Sequence, residues 1–197
     1  MLSSAPGLPH LLLVDDEPAI LQALTRTLRG AMADGRLPAS RIEAFTDPAA
    51  ALARAAEQPV ALTISDFRMP GMDGARFLAR LRALQPDGRR VILSAHADLQ
   101  GLSTAINEAR ISRFLAKPWT EAALLDLVGQ QLAEQQQALE TELLAERQRL
   151  ALGRLTPQEA ERRRLERLEP GITQVQWSPD GAYVLDAPGA GPDEAER

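Results

Sequence analysis

The chain has no cysteine and only two histidines, His10 and His96, among its 197 residues. The first absence excludes disulfides, thiolate metal centres and a cysteine nucleophile. The second leaves a histidine-based zinc site short of ligands. No apolar run approaches the ~20 residues that cross a bilayer. The N-terminus, MLSSAPGLPH, lacks both the basic and the apolar region of a secretory leader. Positive charge is also scarce: the net charge is −5 and the pI about 5.2, which argues against a surface built mainly for nucleic acid. The expectation is a cytoplasmic protein with no membrane segment.

What remains is ordinary globular material, 45% hydrophobic and 25% charged. At ~150 residues per domain the length corresponds to about 1.3 domains, one full core with a substantial remainder. The first 120 residues alternate between two periods. HLLLVDD, from His10 to Asp16, is a short apolar run ending in acids, as in a strand buried on both faces. Pro18 then opens a helix marked by Ile20, Leu21, Leu24 and Leu28. Arg41 to Phe45 reads as a second strand, and Asp47-Pro48 as the cap and first turn of an alanine-rich helix. Val60 to Phe67 is a third strand, again ending at an acid. The loop RMPGMDG leads from it to a helix carrying Phe77, Leu81 and Leu84. Val91 to Ser94 is a fourth strand, Leu102 to Ala109 a fourth helix, and Ile111 to Ala116 a fifth strand closed by Lys117-Pro118. Five such alternations with short connections predict an α/β fold, a doubly wound five-stranded parallel sheet. In such sheets the crevice outside the carboxyl ends of the strands is the functional one.

Thr120 to about Leu152 contains no proline and reads as one long helix. Val128, Leu139 and Leu150 recur every 11 residues, and Leu132 and Leu143 repeat that step, as in a nearly straight coiled coil. Two outcomes are open: a helix-pair dimer, or a helix packed back on its own domain. Thr156-Pro157-x-Glu159 restarts a helix that runs to about Glu169. Ile172 to Trp177 and Ala182 to Asp186 read as a hairpin around Ser178-Pro179-Asp180-Gly181. The organisation expected is therefore residues 9–119 as one domain, 120–153 as a helical stalk, 154–186 as a small α+β module and 187–197 as a disordered tail.

Asp15, Asp16 and Asp66 fall at strand ends and would converge if the first and third strands are neighbours. Crowded carboxylates need a cation, and hard oxygen donors beside a phosphate-sized opening suit Mg²⁺. Ser94 and Lys117, at the ends of the fourth and fifth strands, add a hydroxyl and a positive charge. Together these make a site for a phosphoryl group carried on a carboxylate. Singly, each residue means little, since an isolated strand-end Asp is more often a helix cap. Their joint order carries the reading.

LLLVDDEP, ISDFRMPGMDG, ILSAHAD and RFLAKPW resemble, in order, the motifs of response-regulator receiver domains of two-component signalling, over about Pro9 to Trp119. The resemblance implies that Asp66 is the phosphoacceptor, served by a sensor histidine kinase. Asp16, Asp66 and the backbone carbonyl of Arg68 would ligate Mg²⁺, with Asp15 acting through water. Lys117 would pair with the phosphoryl oxygens, Ser94 and Phe114 would be the switch pair, and Pro118 would follow a cis peptide bond. The side chains of Arg68 and His96 would tune autodephosphorylation. The Lys-Pro-Trp ending is similar to receivers joined to HD-type phosphodiesterases or to transcriptional activators. An Asp-x-Asp motif of dehalogenase-like phosphatases is absent, as are a Walker loop and a His-Asp pair for a di-metal phosphodiesterase. The expectation is thus a non-enzymatic phosphoacceptor. It would act as a homodimer, through the stalk or through the face of the fourth helix, fifth strand and fifth helix, and signal to a protein effector. The alternative is a transcriptional regulator with an unrecognised DNA-binding tail. Arg147 to Glu169 holds seven Arg against four Glu without a helix-turn-helix pattern, which favours a solvated helix face over DNA binding.

Overall fold

The computed structural model describes residues 7–95 and 109–168. Its elements are β1 (His10–Val14), α1 (Pro18–Ala33), β2 (Arg41–Phe45), α2 (Pro48–Glu57), β3 (Leu62–Asp66), α3 (Gly74–Leu84), β4 (Arg89–Ala95), β5 (Arg113–Lys117), α4 (Glu121–Ala151) and α5 (Pro157–Leu168). All five strands are parallel, in the order β2-β1-β3-β4-β5. The doubly wound sheet expected from the alternation of periods is therefore present, followed by a long and a short helix. His96, most of the helix expected at Leu102 to Ala109, the hairpin expected from Ile172 and the acidic tail lie outside the described residues. Ala109 itself is buried.

The apolar runs work as strands because each residue has a face to bury. Leu11 and Leu13 of β1 join Leu62, Ile64, Val91 and Leu93 under α1 and α4, whereas Leu12 and Val14 face Phe77 and Leu78 of α3 on the other side. β2, at the edge, is the more exposed strand and pairs only with β1. Prolines open α1 and α2, where their missing N–H costs nothing, and the Asp47 side chain accepts the Ala49 N–H at 2.9 Å.

α4 begins at the Thr120 cap, whose Oγ1 accepts the Ala123 N–H at 3.2 Å. Its first turns serve the sheet: Leu124, Leu125, Val128 and Leu132 are buried with α1 and β1. Two members of the 11-residue stripe thus complete this chain's own core, because α1 alone leaves that face of the sheet open. Fully burying such a side chain contributes about 1.5–3 kcal/mol. Beyond them α4 runs on to Ala151, and Gly153, with a left-handed φ of +66°, turns the chain into α5. A capping box starts α5: Thr156 Oγ1 accepts the Glu159 N–H at 3.2 Å, and Glu159 Oε2 accepts the Thr156 N–H at 2.8 Å. Among the described residues no helix is long and apolar enough to cross a membrane.

One buried cation ties the base of the sheet together. Arg90 of β4 is 5% exposed and donates to the carbonyls of Ala109 (2.9 Å), Gln85 (3.2 Å) and Pro86 (3.1 Å). Burial, with the charges of Arg82, Arg89 and Arg110, pulls its pKa down to about 10 against the opposing charge of Asp87. It remains charged at neutral pH. Arg90→Met keeps much of the volume but strands the buried carbonyls of Ala109 and Gln85 and frees that of Pro86. It is expected to cost about 2–3 kcal/mol, because relief of the desolvated charge offsets only part of the loss. Urea denaturation at neutral pH measures this, as a lower midpoint with an unchanged slope.

Candidate functional site

The crevice at the carboxyl ends of the strands is built by register. Val14 pairs with Ser65, so Asp15 and Asp66, the next residues along β1 and β3, stand side by side. Asp66 in turn pairs with Leu93 of β4, which places Ser94 one step farther toward the same end. Ala95 pairs with Lys117, which brings that side chain over the crevice from β5. Each residue is thus positioned by a strand buried on one or both faces, and the rigidity of the sheet becomes the rigidity of the site.

Lys117 joins the two carboxylates. Its Nζ lies 2.9 Å from Asp15 Oδ2 and 2.5 Å from Asp66 Oδ1. The remaining oxygens meet backbone donors: Asp15 Oδ1 accepts the Glu17 N–H at 2.9 Å, and Asp66 Oδ2 accepts the Arg68 N–H at 2.6 Å. Asp15 is fully buried and Asp66 nearly so. Burial pushes the Asp66 carboxyl above its usual range; Lys117 and the Arg68 N–H oppose this, and the charge of Asp15 adds to it. For Lys117, burial works against the charge, but hydrogen bonds to Asp15 and Asp66 outweigh it and raise the pKa. Lys117 is also the only lysine of the chain.

Asp16 follows Asp15 but is exposed. Ser94 is buried, and its hydroxyl donates to the Ala95 carbonyl at 3.3 Å. Phe114, level with Ile92, is half-buried against the α2–α3 side of the sheet. The Lys117-Pro118 peptide is cis. The structure thus brings Asp15, Asp66 and Lys117 into direct contact and leaves Asp16 at the rim.

Reading the motifs as a loop misses one position. Gly74, the first residue of α3, is buried against the carbonyl of Asp66 and donates its N–H to the Phe67 carbonyl at 2.9 Å. A Cβ on Gly74 would lie 2.0 Å from Asp66 O. The glycine that closes RMPGMDG was the available signal.

Two buried carboxylates share one ammonium, with a third carboxylate nearby, so negative charge at the crevice is not fully balanced. Every donor is a hard oxygen. These residues fit Mg²⁺, which takes one or two carboxylates and keeps several waters. Among the described residues no three acidic or histidine side chains are grouped to hold a metal by themselves.

A doubly wound sheet with an acidic, lysine-bridged crevice at its carboxyl edge is the architecture of a signalling receiver. The family model described as response regulator receiver domain matches residues 11–129, and the chain belongs to that family. Among curated proteins it is similar to the hydrogenase transcriptional regulatory protein HoxA of Cupriavidus necator, 34% identical over 64% of this chain and 24% of that one. It is also 32% identical to the cyclic di-GMP phosphodiesterase response regulator RpfG of Xanthomonas campestris, over 83% of this chain and 43% of RpfG. The chain thus matches less than half the length of either relative. Among solved structures, the signal receiver domain of an HD domain-containing protein from Pseudomonas fluorescens is 34% identical. That match covers 71% of this chain and 97% of that one, with a TM-score of 0.62.

Proposed function

We propose that the chain is a two-component response regulator that takes a phosphoryl group from the phosphohistidine of a sensor kinase onto Asp66. The observation that carries this reading is the Asp15–Lys117–Asp66 cluster at the strand ends. In the transfer, an Asp66 carboxylate oxygen forms a bond to phosphorus as the nitrogen–phosphorus bond breaks, and the imidazole leaves as the neutral base once protonated. Asp66 is anchored for this by the Arg68 N–H, which fixes the carboxylate plane. Lys117 is already placed to exchange a carboxylate oxygen for a phosphoryl oxygen. Asp16, Asp66 and the Arg68 carbonyl, with Asp15 through water, would hold Mg²⁺, whose charge offsets that on the phosphoryl oxygens. Ser94 and Phe114 then serve as the switch pair, and the side chains of Arg68 and His96 tune hydrolysis.

Residues 9–119 form the receiver in this reading, and the 120–153 stalk carries the change to residues 154–186 and a protein effector. A homodimer through α4, or through the β5 edge and its flanking helices, belongs to the same proposal, as does a cytoplasmic location. The second reading, a transcriptional regulator, draws on the likeness to HoxA, a hydrogenase transcriptional regulatory protein, though the shared segment is about a quarter of that protein. Incubation with a small phosphodonor and Mg²⁺ tests the chemistry. Intact-mass spectrometry is expected to show one base-labile phosphoryl group per chain, mapped to the β3 peptide and abolished by chelator. Labelling elsewhere, or none, overturns it.

A further inference from the structure

The stripe on α4 has two partners within one chain. Val128 and Leu132 are buried in the sheet-side core. Farther out, Leu139 and Leu143 are half-buried and Leu150 is 40% exposed. This outer part faces α5: Leu143, Glu146 and Leu150 line one wall of a groove, and Pro157, Ala160 and Arg167 line the other. The apolar members on the α5 side are only a proline and an alanine, whereas its leucines, Leu165 and Leu168, stay exposed.

Charge closes this seam. Arg167 lies 2.7 Å from Glu146 and 3.7 Å from Glu142. Glu146 is 7% exposed, and its second oxygen, Oε1, is buried with no hydrogen-bond partner among the described residues. A buried carboxylate satisfied on one oxygen closes an interface at a cost in desolvation. The α5 cover is therefore weak compared with an apolar one.

The covered surface has a pattern of its own. Leu139, Leu143, Glu146 and Leu150 are spaced four, three and four residues apart, the rhythm of core positions in a two-stranded coil. Glu142 and Arg147 flank that core on opposite sides, five residues apart. That is the spacing at which flanking charges meet across a parallel seam. In a parallel pair of identical chains Glu142 of each copy faces Arg147 of the other, and Arg147 also lies beside the other copy's Glu146. The flanking charges are complementary in this one direction, and the core carboxylate of Glu146, which meets its own copy across the seam, lies between the two Arg147 guanidinium groups.

We propose that α5 is a clasp, held by Arg167, over a homodimerisation seam on the outer half of α4, and that its release lets Leu139, Leu143 and Leu150 pair in parallel with the same residues of a second copy. This rests on the stalk reading above and specifies its surface. Sedimentation of the full chain tests it. Wild type is expected to be mainly monomeric, and Arg167→Ala to dimerise at least about tenfold more tightly. Glu146→Gln, which loosens the same clasp while keeping its volume, is expected to shift in the same direction. In the Arg167→Ala background, Arg147→Glu is expected to return the monomer and added Glu142→Arg to restore the dimer. Because the chain has no cysteine, Leu150→Cys supplies a single thiol, expected to form an intermolecular disulfide where Leu144→Cys, off the stripe, does not. Unchanged sedimentation of both clasp variants, a dimer indifferent to Arg147, or equal cross-linking at Leu144 overturns the proposal. Asp66 phosphorylation, read by intact mass on the same samples, separates failure of the clasp from failure of the phosphoacceptor reading.

Discussion

Gly74→Ala is expected to be among the most damaging single-methyl additions in the receiver, costing more than about 4 kcal/mol. The added Cβ would lie 2.0 Å from the carbonyl oxygen of Asp66, 3.0 Å from its carbonyl carbon and 3.1 Å from the Cα of Phe67. These are backbone atoms, so no rotamer relieves the overlap. Neither side is free to move. β3 is locked by pairing with β1 and β4, and the start of α3 by the Gly74–Phe67 hydrogen bond and by Asp73, whose side chain accepts the Arg76 N–H at 2.8 Å. Relief must separate the first turn of α3 from the end of β3, which displaces Asp66 itself. Where the variant is still folded, its phosphorylation rate is expected to fall with its stability. Gly30→Ala is the control. It lies in α1 with open space around its Cβ position, and the same substitution there is expected to stabilise by about 0.5–1 kcal/mol. Urea midpoints of the two variants, displaced in opposite directions from wild type, check the argument.

Asp66→Asn is expected to abolish phosphoryl uptake completely and yet to raise stability at neutral pH. Asn keeps the shape, and its one carbonyl oxygen can accept either the Arg68 N–H or a Lys117 proton but not both, and its amide cannot serve as the nucleophile. The stability effect follows from burial. The folded protein raises the Asp66 pKa above its ordinary 3.8, since desolvation outweighs Lys117. An acid with a raised folded pKa holds its proton more tightly when folded. Its ionisation therefore removes stability as pH rises from 3.8 through the folded value. Asn has no such loss, and Lys117 keeps Asp15 as its partner. In buffer free of divalent cations the variant is expected to unfold at higher urea than wild type at pH 7, the gap closing below the ordinary pKa. A variant less stable at pH 7 would mean that the Lys117 pairing dominates.

Much of the fold is legible from local pattern. β2 has the bounds expected from the sequence, Arg41–Phe45, and α4, Glu121–Ala151, fills the proline-free stretch read as one helix from Thr120 to about Leu152. β4 begins two residues earlier than its apolar run, at Arg89, because Arg90 is buried by carbonyls from the end of α3 and from Ala109. Nothing near Arg90 in sequence announces those acceptors. Gly74 is similar: its backbone lies outside the left-handed region, so no turn signature marks it. Its demand for a hydrogen in place of a side chain comes from the close approach of β3. The acids of the crevice could be named singly, but their meeting depends on β1 and β3 being neighbours.

Among the described residues, spacing along the chain therefore settled the elements, their order and the face each residue would share, since those depend on backbone geometry a few residues long. The partner of each face was settled by folding. The α4 stripe is continuous in sequence, yet its inner members, Val128 and Leu132, found the sheet, and Leu143 and Leu150 found α5. Likewise Lys117 bridges two acids about 50 and 100 residues away, at 2.5 and 2.9 Å. Burial joins whichever surfaces leave the least apolar area in water, and that competition runs over the whole chain at once.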